Sequence, residues 1–285
     1  MNDTVTVTID GGVADVRLNR PDKLNALNQA LFAGLVQAGH ELQEDRSVRA
    51  VVLSGEGRAF CAGLDLASFQ AMAGSEEEPA DGRAAGRGDG GGDDDMSSIM
   101  DTGERETHLG QEAAWVWRRL EVPVVAAIDG ACLGGGLQIA LGADIRLVAP
   151  DAKLSVLEMR WGLIPDMTGT WLLPRLVGDD VARELTFTGR IVSGAEAVRI
   201  GLCTRLSDDP RVDALALAAD VAAKAPGAIR HAKRLLNSST APGRTVAEQF
   251  LDERTTMASL IGSPANVEAV TAWFEKRAPK FADPK

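Results

Sequence analysis

The sequence predicts an α/β fold, and three observations carry that expectation. Short apolar or β-branched runs alternate with stretches of helical period, glycine-bearing turns stand between them, and the last quarter of the chain reads as helix almost throughout. With 285 residues, 45% hydrophobic and 25% charged, the chain can bury one full-sized core. The division expected is a main unit over residues 1–205 and a helical region over 206–285.

Residues 5–9 and 13–18 flank the turn Asp10-Gly11-Gly12 and predict a β-hairpin. A helix should follow, capped by Asn28. Leu31, Phe32, Leu35, Val36, Gly39 and Leu42 recur near every 3.6 residues until the charged stop at Glu44-Asp45-Arg46. Residues 50–53 and 122–128 predict strands, 134–141 a helix and 144–148 a further strand. A helical pattern over 107–120 carries Trp115 and Leu120 among its apolar positions. Helices are expected over 215–223, 227–236, 246–261 and 264–277.

Residues 73–95 interrupt this order with seven glycines, no aromatic residue and no apolar period, which predicts a mobile insertion. Its eight acids and two arginines account for −6 of the net charge of −11, so the remainder is mildly acidic at −5. That balance argues against nucleic acid as a partner. No apolar run is long enough for a membrane span, and the N-terminus shows no basic stretch followed by an apolar one, so the expectation is a cytoplasmic protein. Cys61, Cys132 and Cys203 lie far apart in apolar surroundings and predict buried reduced thiols. His40, His108 and His231 are scattered, with no nucleophile or metal spacing near them.

Two segments share one physical logic. Residues 58–66 (Arg-Ala-Phe-Cys-Ala-Gly-Leu-Asp-Leu) and 129–138 (Asp-Gly-Ala-Cys-Leu-Gly-Gly-Gly-Leu-Gln) each follow a strand and are expected to open a helix. Glycine lets backbone approach a ligand, and a helix N-terminus presents unpaired N–H groups. Two such turns aimed at one oxygen would form an oxyanion hole.

Together with residues 18–27 (Leu-Asn-Arg-Pro-Asp-Lys-Leu-Asn-Ala-Leu), Gly162-Leu163-Ile164-Pro165 and the closing Trp273-Phe274-Glu275-Lys276-Arg277, these segments resemble, in order, the enoyl-CoA hydratase/isomerase (crotonase) family. The resemblance implies a crotonase-like spiral of ββα repeats and a C-terminal helical region that mediates homotrimers or homohexamers. It implies an acyl-CoA substrate, with coenzyme A as part of that substrate rather than a resident cofactor; the scattered histidines and cysteines separately give the expectation of no metal. By the same resemblance the oxyanion donors are the N–H groups of Leu64 and Gly135. Coenzyme A would lie near Lys23, Leu24, Ala26, Ala62, Gly63, Asp65 and Gly134, with Lys23, Arg58 and Lys276 as candidates for its phosphates.

The proton-handling residues depart from the hydratase pattern of two glutamates: one is Glu158, but Gln138 stands at the other position. An amide orients water but neither takes nor gives a proton at ordinary pH. Asp166, eight residues past Glu158, partly resembles the spacing in dienoyl-CoA isomerase and could supply the second acid. The bland alternatives are a helix N-cap for Asp166 and an exposed acid for Glu158. Trp161 and Trp171, with Met159, Leu163 and Met167 nearby, either pack in the core or line an acyl pocket. Hydration and double-bond shift both remain open, as do thioester hydrolysis, decarboxylation and plain acyl-CoA binding.

Overall fold

The computed structural model describes residues 3–65, 102 and 106–284. The 73–95 insertion, and any helix continuing from the first glycine turn past Asp65, lie outside the described residues.

Strands β1 (Val5–Asp10) and β2 (Val13–Leu18) form the antiparallel hairpin, and Gly11 and Gly12 take the positive φ values its turn requires. Helix α1 (Gln29–Glu44) begins where Asn28 accepts a hydrogen bond from the Leu31 N–H at 3.0 Å. Strand β3 (Ala50–Gly55), helix α2 (Leu109–Arg119), strand β4 (Val124–Ile128), strand β5 (Ala131–Leu133), helix α3 (Gly135–Leu141) and strand β6 (Ile145–Val148) follow. Strand β7 (Lys153–Ser155) precedes a 3-10 turn at Glu158–Trp161. Then come α4 (Gly169–Val177), α5 (Asp179–Thr188), β8 (Val192–Ser193), α6 (Gly194–Arg199) and β9 (Arg205–Leu206). The chain closes with α7 (Pro210–Ala222), α8 (Pro226–Ser239), α9 (Val246–Leu260) and α10 (Pro264–Phe274).

The strands form two sheets. The larger runs β1-β2-β3-β4-β6-β9 and is parallel from β2 onward; the smaller runs β5-β7-β8. Its three short strands give too little alternation to read from sequence, and the turn before α3 proves to hold one of them. In the larger sheet both faces are covered, which is why β3 and β4 read as unbroken apolar runs. Val51, Leu53, Val124, Ala126 and Ile128 face the main core with α1 and α2; Ala50, Val52, Val125 and Ala127 face Ala214, Ala218 and Ala222 of α7. Alanine at every fourth position lets α7 lie close to the sheet. Gly39 does the same where α1 meets α2, since a Cβ there would sit 2.4 Å from Val116 Cγ2.

All three cysteines are buried free thiols. No helix among the described residues is long and apolar enough to cross a membrane. Trp161 and Trp171 are not core residues: they are 53% and 39% exposed, and Arg175 lies 3.6 Å over the Trp171 ring. Met159, within the 3-10 turn, and Leu163, just after it, are also exposed, whereas Met167 is buried.

Helix α8 is tied to the body by a buried cation. The Lys233 ammonium lies 2.7 Å from the Asp144 carboxylate and donates to the Trp117 and Val122 carbonyls at 3.2 and 2.8 Å. Burial lowers its pKa, and the Asp144 charge opposes that shift. Lys233→Ala strands these acceptors and is expected to cost about 3 kcal/mol. A urea-denaturation midpoint within error of wild type would contradict the assignment.

Candidate active site

The two glycine turns lie side by side because backbone stitches them together. Cys61 donates to Ala131 and accepts from Leu133, each at 2.9 Å, so residues 61 and 132 pair as a single parallel bridge. Gly130 permits the approach: a Cβ there would fall 2.1 Å from the Arg58 carbonyl oxygen. On the other side the first turn meets residues 24–27. Ala62 donates to Leu24 at 2.9 Å, Leu27 donates to Gly63 at 2.7 Å, and Asp65 donates to Leu27 at 2.9 Å. Asn25, fully buried in a left-handed conformation, anchors this loop by donating to the Glu56 and Ala59 carbonyls. Arg20 pairs with Asp65 at 2.9 Å and donates to the Ala26 carbonyl.

These bonds fix two N–H groups. The Gly63 carbonyl accepts from Leu27, and in a planar trans peptide the Leu64 N–H on the opposite edge must point away from Leu27. The Gly134 carbonyl accepts from the Gln138 N–H inside α3, so the Gly135 N–H points out of the helix N-terminus. Gly135 also has no room for a side chain, with Leu27 Cδ1 at 2.7 Å and Met167 Sδ at 2.9 Å from a Cβ built there. Leu27, the bridge partner of Leu64, thus adjoins both donors.

Glu158 stands beside the same helix end: a Cβ on Gly134 would lie 3.4 Å from Glu158 Oε1. The carboxylate is buried, not exposed. Gln138 Nε2 donates to its Oε1 at 2.6 Å, while Oε2 has no hydrogen-bond partner among the described residues. The Gln138 amide orientation follows from its other end, whose oxygen accepts the Met167 and Gly169 N–H groups at 2.9 and 3.0 Å. Burial pushes the Glu158 carboxyl above the usual carboxylate range; the backbone N–H groups of Glu158 and Leu157 and the Gln138 amide oppose the shift, and the charge of Asp166 adds to it.

Asp166 is not a helix cap. The N-cap of α4 is Thr168, at φ 72°, and its side chain makes no capping bond. Asp166 instead lies with its Oδ2 3.6 Å from Nε2 of His108, a buried residue that no sequence spacing placed here. His108 caps α2, where Ser, Thr, Asp and Asn are the usual caps, so its position carried no recognisable signal. Among the other sequence candidates, Lys23 and Arg58 are exposed at this end of the molecule. Lys276 is exposed in the left-handed turn after α10, and the hydrogen bonds of the site do not extend to it. Among the described residues no group of three His, Cys, Asp or Glu side chains could hold a metal ion.

A carboxyl whose pKa is higher in the folded chain than in the unfolded one costs stability as pH rises through the folded value, and this cost is absent below the unfolded value. Glu158→Gln is therefore expected to raise the melting temperature at about pH 8 and not at about pH 4. Equal shifts at both pH values in thermal denaturation would show that ionisation of Glu158 is not the source.

The chain is similar throughout to proteins of one family. The family model described as enoyl-CoA hydratase/isomerase matches residues 13–283. A probable enoyl-CoA hydratase of Mycobacterium leprae is 32% identical over 280 residues, covering 97% of each chain. The human mitochondrial enoyl-CoA hydratase domain-containing protein 2 is 33% identical, over 95% of this chain and 86% of its own. The crystal structure of enoyl-CoA hydratase from Bacillus anthracis superposes with a TM-score of 0.81 at 29% identity, covering 98% of both chains. With that fold, and a family match over almost its whole length, the chain belongs to the enoyl-CoA hydratase/isomerase (crotonase) family.

Proposed function

We propose that the protein moves the double bond of an enoyl-CoA thioester, with Glu158 as its single base. The observation that carries this reading is the division of labour within one buried carboxylate beside the N-terminus of α3: Oε1 is held by Gln138, and Oε2 has no hydrogen-bond partner among the described residues. Oε2 takes a proton from the carbon between the thioester and a β,γ double bond. The electron pair spreads into a dienolate whose oxygen accepts hydrogen bonds from the Leu64 and Gly135 N–H groups. Glu158 then returns the proton to the γ carbon, leaving the conjugated thioester and a regenerated carboxylate. Its raised pKa suits a group that must both take and give a proton. The coenzyme A portion would lie along Leu24, Ala26 and Ala62, with exposed Lys23 and Arg58 available to its phosphates.

One observation favours a second reading, hydration. Asp166 is partly solvent-exposed and acts electrostatically on Glu158, so it could share a water with it. The two reactions separate on substrate: a β,γ-enoyl-CoA should gain the conjugated chromophore faster than crotonyl-CoA loses it. Glu158→Gln should lower the first rate by about 10²–10⁴-fold. Gln138→Glu, which places a second carboxylate against the first, should raise hydration relative to the shift. Faster hydration by the wild type would overturn the isomerase reading, and an active Glu158→Gln would overturn the base.

We further propose a homotrimer or homohexamer built through the C-terminal helices. Phe250, Leu251 and Met257 of α9 and Val267, Trp273 and Phe274 of α10 are all more than half exposed in the single chain, an arrangement that burial against other copies would relieve. Light scattering should give three or six times the 30.0 kDa chain mass, and a monomer mass would refute this.

A further inference from the structure

We propose that His108 is a positioning residue that acts through Asp166: its Nε2–H holds the Asp166 carboxylate in the wall of the site beside Glu158. The inference rests on the reading of Glu158 as the base. It begins with the other ring nitrogen. His108 Nδ1 accepts the N–H groups of Gly110 and Gln111 at 3.1 and 3.3 Å, which requires its lone pair. A neutral imidazole carries one proton, so that proton sits on Nε2, the atom 3.6 Å from Asp166 Oδ2.

Both partners are constrained so that they meet. The His108 ring packs against the first turn of α2, where a Cβ on Gly110 would lie 3.1 Å from the ring and 3.5 Å from Met167 Cγ. The backbone beside Asp166 is held by Pro165 before it and by the Met167 N–H bonded to Gln138 after it. What stays adjustable is the Asp166 side chain, 37% exposed. Contacts of this kind are commonly long without substrate and tighten in the complex. Capping alone does not call for histidine, since serine or asparagine caps a helix without carrying a second nitrogen toward Asp166. Held in place, the Asp166 charge favours the protonated Glu158 that forms after abstraction and must later release its proton.

His108→Asn separates the two roles, since asparagine keeps an acceptor for the cap but cannot reach Asp166. The expected result is a fall of about tenfold in kcat on the β,γ-enoyl-CoA, with KM within about twofold and an unchanged melting curve. In an Asp166→Asn background His108→Asn should add nothing. Independent, multiplying losses, or an unchanged kcat in the single variant, would overturn the proposal. Nitrogen NMR of the wild-type imidazole gives a measurement that needs no His108 variant. A proton on Nε2 and a resonance displaced by Asp166→Asn support it; a proton on Nδ1, or an unmoved resonance, defeats it. If Glu158→Gln is inactive while His108→Asn is fully active, only this inference fails; an active Glu158→Gln removes the base assignment beneath it.

Discussion

One side-chain amide organises the site. Gln138 accepts two backbone N–H groups on its oxygen and donates from its nitrogen to Glu158, joining α3, the 3-10 turn and the start of α4. A carboxylate at this position could accept the same N–H groups but, when ionised, could give Glu158 nothing. The geometry has a local cost. Thr168 adopts a left-handed φ, the conformation that turns the N–H groups of its two neighbours toward one oxygen, and its own hydroxyl is buried without a partner among the described residues. Gly169 completes the arrangement, because a Cβ there would come 2.6 Å from the Gln138 oxygen.

Much of the fold was legible in the sequence because it rests on periodicity. The Asn28 cap, the stripe from Leu31 to Leu42 and the uniform apolar character of β3 and β4 follow from one-dimensional spacing. The order of the glycine motifs pointed to the family, and the departure at Gln138 marked the site as unlike a two-glutamate hydratase. What spacing could not show was which side chains meet after folding. The burial of Glu158 against Gln138 joins residues 20 positions apart, and the contact between His108 and Asp166 joins residues 58 positions apart. The small sheet was missed because strands of two or three residues carry no period, and α4–α6 were barely foreseen among the turns around them.

The bland readings failed for physical reasons that are visible around the 3-10 turn. This element turns Glu158 inward and leaves Met159 and Trp161 in solvent, so neighbouring residues of similar apparent status meet opposite environments. An acid buried with one oxygen unpartnered is a poor choice for stability and a suitable one for chemistry, since the raised pKa that costs the fold makes the group a stronger base once ionised.

The stitched glycine turns have a consequence for the thiol between them. Cys61 is fully buried, Gly136 packs so closely that a Cβ there would lie 2.9 Å from the sulfur, and burial pushes the thiol to about 12. At neutral pH the sulfur is therefore held as the unreactive protonated thiol. An alkylating reagent can reach Cys61 at an appreciable rate only after the turn parts from β5 and α3. The labelling rate of this sulfur therefore times the opening of the same backbone that aims the Leu64 and Gly135 N–H groups.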